Sequence, residues 1–119
     1  MSMISGLAIF MVALLHIYFM VVEIFFWTKP VGMKIFHLKP DFAQASKVMA
    51  MNQGLYNGFL AAGLIWSLLA IDNKYSIAQF FLGCVVVAGI FGAITANRKI
   101  LYIQALPGLL ALILLLRNL

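Results

Sequence analysis

An all-α membrane protein, built as a bundle of four transmembrane helices, is the fold class that this sequence predicts, and three observations predict it. Of the 119 residues, 66% are hydrophobic and only 9% are charged, whereas soluble domains are roughly 45–50% apolar and about 25% charged. The mean hydropathy is +1.11, which also excludes a disordered chain, because disorder needs low hydrophobicity and high charge. Apolar stretches near the roughly 20 residues that a spanning helix needs occur at 4–27, 50–71, 76–96 and 100–116, separated by polar breaks. Four spans and one longer loop use up the length, so a single domain over 1–119 is expected, with no room for a separate soluble one.

The first span carries no positively charged leader and no small-residue cleavage site, and Glu23 lies inside it. It is therefore expected to be a retained helix rather than a signal peptide. Basic residues set the orientation. Lys29, Lys34, Lys39, Lys47, Arg98 and Lys99 fall in the first and third loops, against Lys74 and Arg117 on the opposite side. Six against two puts the first and third loops in the cytoplasm by the positive-inside rule, with both termini outside the inner membrane. The formal net charge of +5 is thus a topology signal; the expected partner is the lipid bilayer, not nucleic acid.

The first loop is the longer one. Val31, Met33, Ile35, Phe36 and Leu38 interleave with Lys34, His37 and Lys39, a pattern that rests on a membrane surface or forms a solvated linker. Pro40-Asp41 reads as a helix start, since proline and an acid are both tolerated in a first turn, so the second helix is expected to begin near Asp41. In the third span, Gly89-x-x-x-Ala93 and Ala88-x-x-x-Gly92 offer small-residue faces on which a homodimer could form. Cys84 sits there too and has no intrachain partner for a disulfide. Pro107-Gly108 predicts a kink in the fourth span. His16, His37 and Cys84 have no metal-ligand spacing, so neither a metal nor another cofactor is expected.

Polar side chains inside the spans carry the functional information, because ionisable groups there cost at least ~2.5 kcal/mol on insertion scales and face a bundle interior or a wet cavity. His16 and Glu23 are seven residues apart, nearly two turns, and so share a face about 10 Å apart along the axis; Trp27 extends the stripe. The second span supplies Asn52, Gln53, Tyr56 and Asn57, with Asn52/Tyr56 and Gln53/Asn57 as i,i+4 neighbours. Gly54, Gly58 and Ala62 form a ridge that admits a close helix. Tyr102 and Gln104 open the fourth span, and Thr95 and Asn97 close the third. All of these fall in the cytoplasmic half, which predicts one polar cavity open toward the cytoplasm or inner leaflet. The plainer reading is that amides only tie helices together, that Glu23 snorkels to Lys29, and that Tyr102 is an interfacial belt residue.

The run His16-x-Tyr18-Phe19-x-x-x-Glu23-x-x-x-Trp27, then Asn52-Gln53-Gly54-Leu55-Tyr56-Asn57-Gly58-Phe59-Leu60-Ala61-Ala62-Gly63-Leu64, and finally Gln104-Ala105-Leu106-Pro107 resembles the small bacterial membrane proteins grouped as domain of unknown function 1304. The resemblance covers essentially the whole chain and implies a four-helix transmembrane bundle. It implies no activity.

Three functions compete. The first is a site that binds a lipophilic small molecule and converts it by acid/base chemistry. There Glu23 with His16 or Tyr56 would move the proton, while Asn52, Gln53, Asn57, Gln104, Trp27 and Tyr102 hold the ligand. Proton transfer suits a carboxyl group in low dielectric. The second is a small proton-coupled multidrug-type transporter, which the strong charge bias and the off-centre depth of Glu23 disfavour. The third is a structural or accessory membrane protein.

Overall fold

The computed structural model describes residues 1–118. Six α-helices follow in order: α1 (Met3–Val21), α2 (Pro30–Ile35), α3 (Pro40–Ala45), α4 (Lys47–Leu69), α5 (Lys74–Thr95) and α6 (Leu106–Leu116). Two π-helical turns interrupt them, Val22–Phe26 directly after α1 and Leu101–Ala105 directly before α6. Among the described residues there is no β-strand.

Two helices are long and apolar enough to cross a membrane, Met3–Phe26 and Lys74–Thr95. The helix α4 has the length of a span, at 23 residues, but Asn52, Gln53 and Asn57 dilute its apolar character. Leu101–Leu116 is apolar and shorter. All four predicted helices therefore form close to their expected limits, while length and composition single out two as membrane-crossing candidates.

The chain divides into two compact units, one made of Met1–Leu14 with Leu60–Leu119 and the other of Leu15–Phe59. The first holds an apolar core of Ile9, Val12 and Ala13 from α1, Leu64 from α4, Ala78, Leu82 and Val85 from α5, and Ala111 and Leu115 from α6. Ala78, Leu82, Val85 and Gly89 are all buried, a spacing of four, three and four that places them on one face of α5. Gly89 is buried because a methyl group there would stand 2.5 Å from Ala105 N and 2.7 Å from Ala105 Cα, and one at Gly92 would stand 3.1 Å from Ile100 Cγ2. Gly89 and Gly92, one from each of the two small-residue pairs, thus receive the chain's own Ala105 and Ile100, while Ala88 stays exposed.

Local chemistry explains the junctions of this unit. Asn73 takes a left-handed conformation (φ 61°), which asparagine tolerates better than most residues, and turns the chain into α5. The Lys74 Nζ donates to Leu68 O at 3.0 Å, satisfying a carbonyl at the end of α4. The expected kink at Pro107 is a wider turn. Proline has no N–H to give to residue 103 and its ring crowds that carbonyl, and Ile103 is the centre of the π-helical Leu101–Ala105.

The second unit contains the end of α1, the Val22–Phe26 turn, α2, α3 and the start of α4. Both short helices begin with proline after an extended lysine, Lys29 (ψ 158°) and Lys39 (ψ 147°), as proline demands of the residue before it. The helix α2 ends in a Schellman motif: His37 is left-handed (φ 56°), Leu38 N donates to Met33 O at 2.8 Å and His37 N to Lys34 O at 3.4 Å. The helix start read at Pro40-Asp41 is present, but α3 stops at Ala45. The Ser46 Oγ donates to Phe42 O at 2.7 Å, and such bonding back to the previous turn bends a helix. The long helix resumes at Lys47.

Candidate functional site

Within the unit Leu15–Phe59, the Val22–Phe26 turn brings Glu23 against α4. Glu23 is only 1% exposed. Its Oε2 accepts a hydrogen bond from Gln53 Nε2 at 2.6 Å, and its Oε1 accepts one from Asn57 Nδ2 at 2.5 Å. Gln53 and Asn57 are four residues apart and so stack on one face of α4, which allows the two carboxamides to close on the two oxygens together. The backbones approach because Gly54 stands between them. A methyl group at Gly54 would lie 2.7 Å from Ile24 Cγ1 and 3.2 Å from both Glu23 Cβ and Met20 O, and one at Gly58 would lie 2.7 Å from Met20 Sδ. Gly54 and Gly58 of the predicted ridge therefore face the helix that carries Glu23, while Ala62, its third member, is exposed.

This pairing matters energetically. A buried carboxyl group without partners costs several kcal/mol in low dielectric, and hydrogen bonds to charged groups return roughly 1.5–3 kcal/mol each. A carboxylate has about four lone-pair positions, so two amide donors leave further acceptor capacity on each oxygen. Lys29 takes no part: Glu23 is held by two carboxamides, and the expected alternative of snorkelling to that lysine is not what forms.

The other predicted site residues differ in exposure. Asn52 and Gln53 are exposed, and Tyr56 is 65% exposed with its ring packed on Phe59. The face of α4 carrying Asn52 and Tyr56 thus lies open, while Gln53 reaches from its edge to Glu23. The i,i+4 geometry that turns Asn57 inward necessarily turns Tyr56, one residue earlier, about 100° away. His16 is fully buried, with its ring edge-on to Phe19 at 6.3 Å between centroids. Tyr102 and Gln104 belong to the other unit, where Tyr102 is 67% exposed and Gln104 half-buried. Thr95 Oγ1 donates to Phe91 O at 2.7 Å, and Asn97 Oδ1 accepts from Lys99 N at 2.9 Å; both serve their own helix end.

Trp27 does something that sequence reasoning passes over. Its Nε1 donates to Ser46 Oγ at 3.0 Å, and its ring lies 5.0 Å from that of Phe36, which in turn lies 6.3 Å from Phe19. Trp27 thereby ties α2 and the α3–α4 junction to the end of the Glu23 helix. Nothing in the sequence around Ser46 marks it, since a serine in a polar loop is unremarkable until the chain folds back.

Among the described residues, no group of three or more His, Cys, Asp or Glu side chains is placed to hold a metal ion. No solved structure matches the chain. The uncharacterized protein YpaA of Lactococcus lactis subsp. lactis (strain IL1403) is 28% identical over 115 residues, a match covering 95% of this chain and 97% of that protein. A family model described as "Protein of unknown function (DUF1304)" matches residues 10–116, and with nearly the whole length matched, the chain belongs to the DUF1304 family.

Proposed function

We propose that the chain is a four-span inner-membrane protein with both termini outside, and that Glu23 is the binding group for the polar end of a lipophilic small molecule arriving from the inner leaflet. The observation that carries this reading is a buried carboxyl group whose lid is made of side chains. Glu23 is sealed by Gln53 and Asn57, yet Gln53 is itself exposed and its flexible side chain can swing aside. Asn52 and Tyr56 stand exposed beside it, polar groups on a face that a membrane would leave against hydrocarbon, where they cost free energy unless something polar meets them. A ligand hydroxyl or ammonium group would bond to Glu23 while the displaced carboxamide and its neighbours orient the rest. Acid/base conversion by Glu23 is the extension of this reading, and Tyr56 on the open face is the side chain available to serve as its partner.

The closure of the contact favours a second reading, in which Glu23, Gln53 and Asn57 only join two helices. Dicyclohexylcarbodiimide, a lipophilic reagent that adds to carboxyl groups in membranes, separates the two in reconstituted vesicles. The binding reading expects Glu23 to be modified in the folded protein, faster in Gln53→Ala and not at all in Glu23→Gln. A Glu23 that reacts only after denaturation would establish the purely structural role. A water-soluble carbodiimide, which reaches the exposed Asp41 and Asp72, provides the reference for reagent access.

A further inference from the structure

Residues 29–47 form a fixed basic ledge. Lys29, Lys34, Lys39 and Lys47 are all exposed, and Asp41 is the only acid among them. The apolar side chains here divide in a way the loop's sequence pattern does not show. Phe36 turns inward onto Trp27 and Phe19, while Phe42, Val48 and Met49 are left open, at 59%, 71% and 75% exposure. The ledge is held at three points: the Phe36 ring, the Trp27–Ser46 hydrogen bond, and Gly32, where any side chain would collide with the Phe26 carbonyl. Phe26 O also accepts from Lys29 N at 3.0 Å, so the first lysine of the group is anchored through its own backbone.

From this charge and this rigidity we infer that the α2–α3 ledge binds the headgroups of anionic phospholipids in the leaflet that faces it. Four lysines against one aspartate complement a phosphate-rich surface, and each basic residue held near such a surface strengthens binding by roughly fivefold. The exposed Phe42, Val48 and Met49 supply the apolar contact that sinks such an element into the headgroup boundary. Pinning by Trp27 keeps the lysines together without a further ordering cost at each binding event. A solvated linker would need neither the pins nor the exposed apolar side chains. The inference rests on the membrane reading above, but not on any ligand at Glu23.

Trp27 sits at the ledge and is one of two tryptophans, so Trp66→Phe leaves a single reporter. In vesicles mixing phosphatidylglycerol with phosphatidylcholine, brominated phosphatidylglycerol is expected to quench Trp27 well beyond brominated phosphatidylcholine, a preference of roughly fivefold or more. That preference is expected to shrink as salt shortens the Debye length. Replacing the four lysines by glutamine should abolish it, and replacing them by arginine should keep it. Equal quenching by the two lipids, a preference indifferent to salt, or one that survives the glutamine variant overturns the anionic-lipid inference alone. Quenching by neither lipid overturns the membrane reading as well.

Discussion

Val22–Phe26 and Leu101–Ala105 are the two places where an α-helical chain takes a wider turn, and they differ in cause and in cargo. The second turn has a local origin: Pro107 withholds an N–H from its centre. It carries an exposed Tyr102 and a half-buried Gln104. The first is also followed by a proline, but Pro30 withholds its N–H from Phe26, the last residue of the turn and not its centre; Lys29 N donates to Phe26 O and Gly32 packs against the same carbonyl. It carries the buried Glu23. The first turn also carries the long-range bonds from Gln53 and Asn57 to Glu23, and π-helical turns collect at functional sites.

Removing the cargo should have the largest effect. Glu23→Ala strands two carboxamide donors and opens space in a packed contact, costing about 2–3 kcal/mol. Tyr102→Ala on the proline-made turn, at a residue 67% exposed, should cost less than about 1 kcal/mol, both read from unfolding of the purified protein in detergent. Glu23→Gln should retain most of the stability, because a rotated amide at Asn57 or Gln53 restores one donor–acceptor match. Equal losses at Glu23 and Tyr102 would erase the distinction between the turns.

Next come the glycines that let each turn pack. Gly89→Ala drives a methyl group into the backbone of Ala105, which cannot move aside, so a net loss of about 1–2 kcal/mol is expected after the roughly 1 kcal/mol gain in helix propensity. At Gly54 a methyl group would meet side-chain Ile24 Cγ1 first and the Met20 carbonyl only at 3.2 Å, so Gly54→Ala should lose less than Gly89→Ala, about 0–1 kcal/mol. Thermal midpoints of the two variants, compared under one set of conditions, check the difference.

A smaller effect belongs to the pin beyond the first turn. Trp27→Phe and Ser46→Ala each remove one hydrogen bond worth about 1 kcal/mol, and a double-mutant cycle should recover that amount as coupling. Independent additive losses would mean that the bond holds nothing. The smallest change in stability is expected from Pro107→Ala, yet its structural readout is clear. Leu101–Ala105 should tighten to an α-helical pattern, seen as slower amide exchange in that turn, while Val22–Phe26 stays as it is. A π-helical turn that persists without the proline would remove the local cause assigned to it.

Several parts of this molecule are legible in one dimension. The helices lie where apolar runs and polar breaks put them, and Pro30 and Pro40 open α2 and α3 because proline suits a first helical position. Glu23, Gln53 and Asn57 stand out as polar groups in an apolar medium, and the i,i+4 relation of the two amides already implies a shared target. The part that misleads is the rest of the polar cluster. Asn52 and Tyr56 satisfy the same criteria of type and depth as Asn57, yet lie on the open side of α4. Depth along a helix can be counted from its ends; rotation about the axis cannot, because a helix with apolar residues on most sides gives no strong inward direction.

Composition alone determined that this chain is far more apolar than a soluble domain, and the placement of lysine and arginine carries its expected orientation, since both depend on how each residue partitions and not on its neighbours. Membership of the DUF1304 family is likewise a property of residue order. Tertiary structure decided which two carboxamides close on Glu23, that Trp27 reaches Ser46, that Phe36 turns inward while Phe42 does not, and that Gly89 is filled from within the chain. These are contacts between residues 9 to 34 positions apart, or choices between faces of one helix. They follow from how closely backbones approach at glycine and how a turn rotates what comes after it, and neither quantity is written in the local sequence.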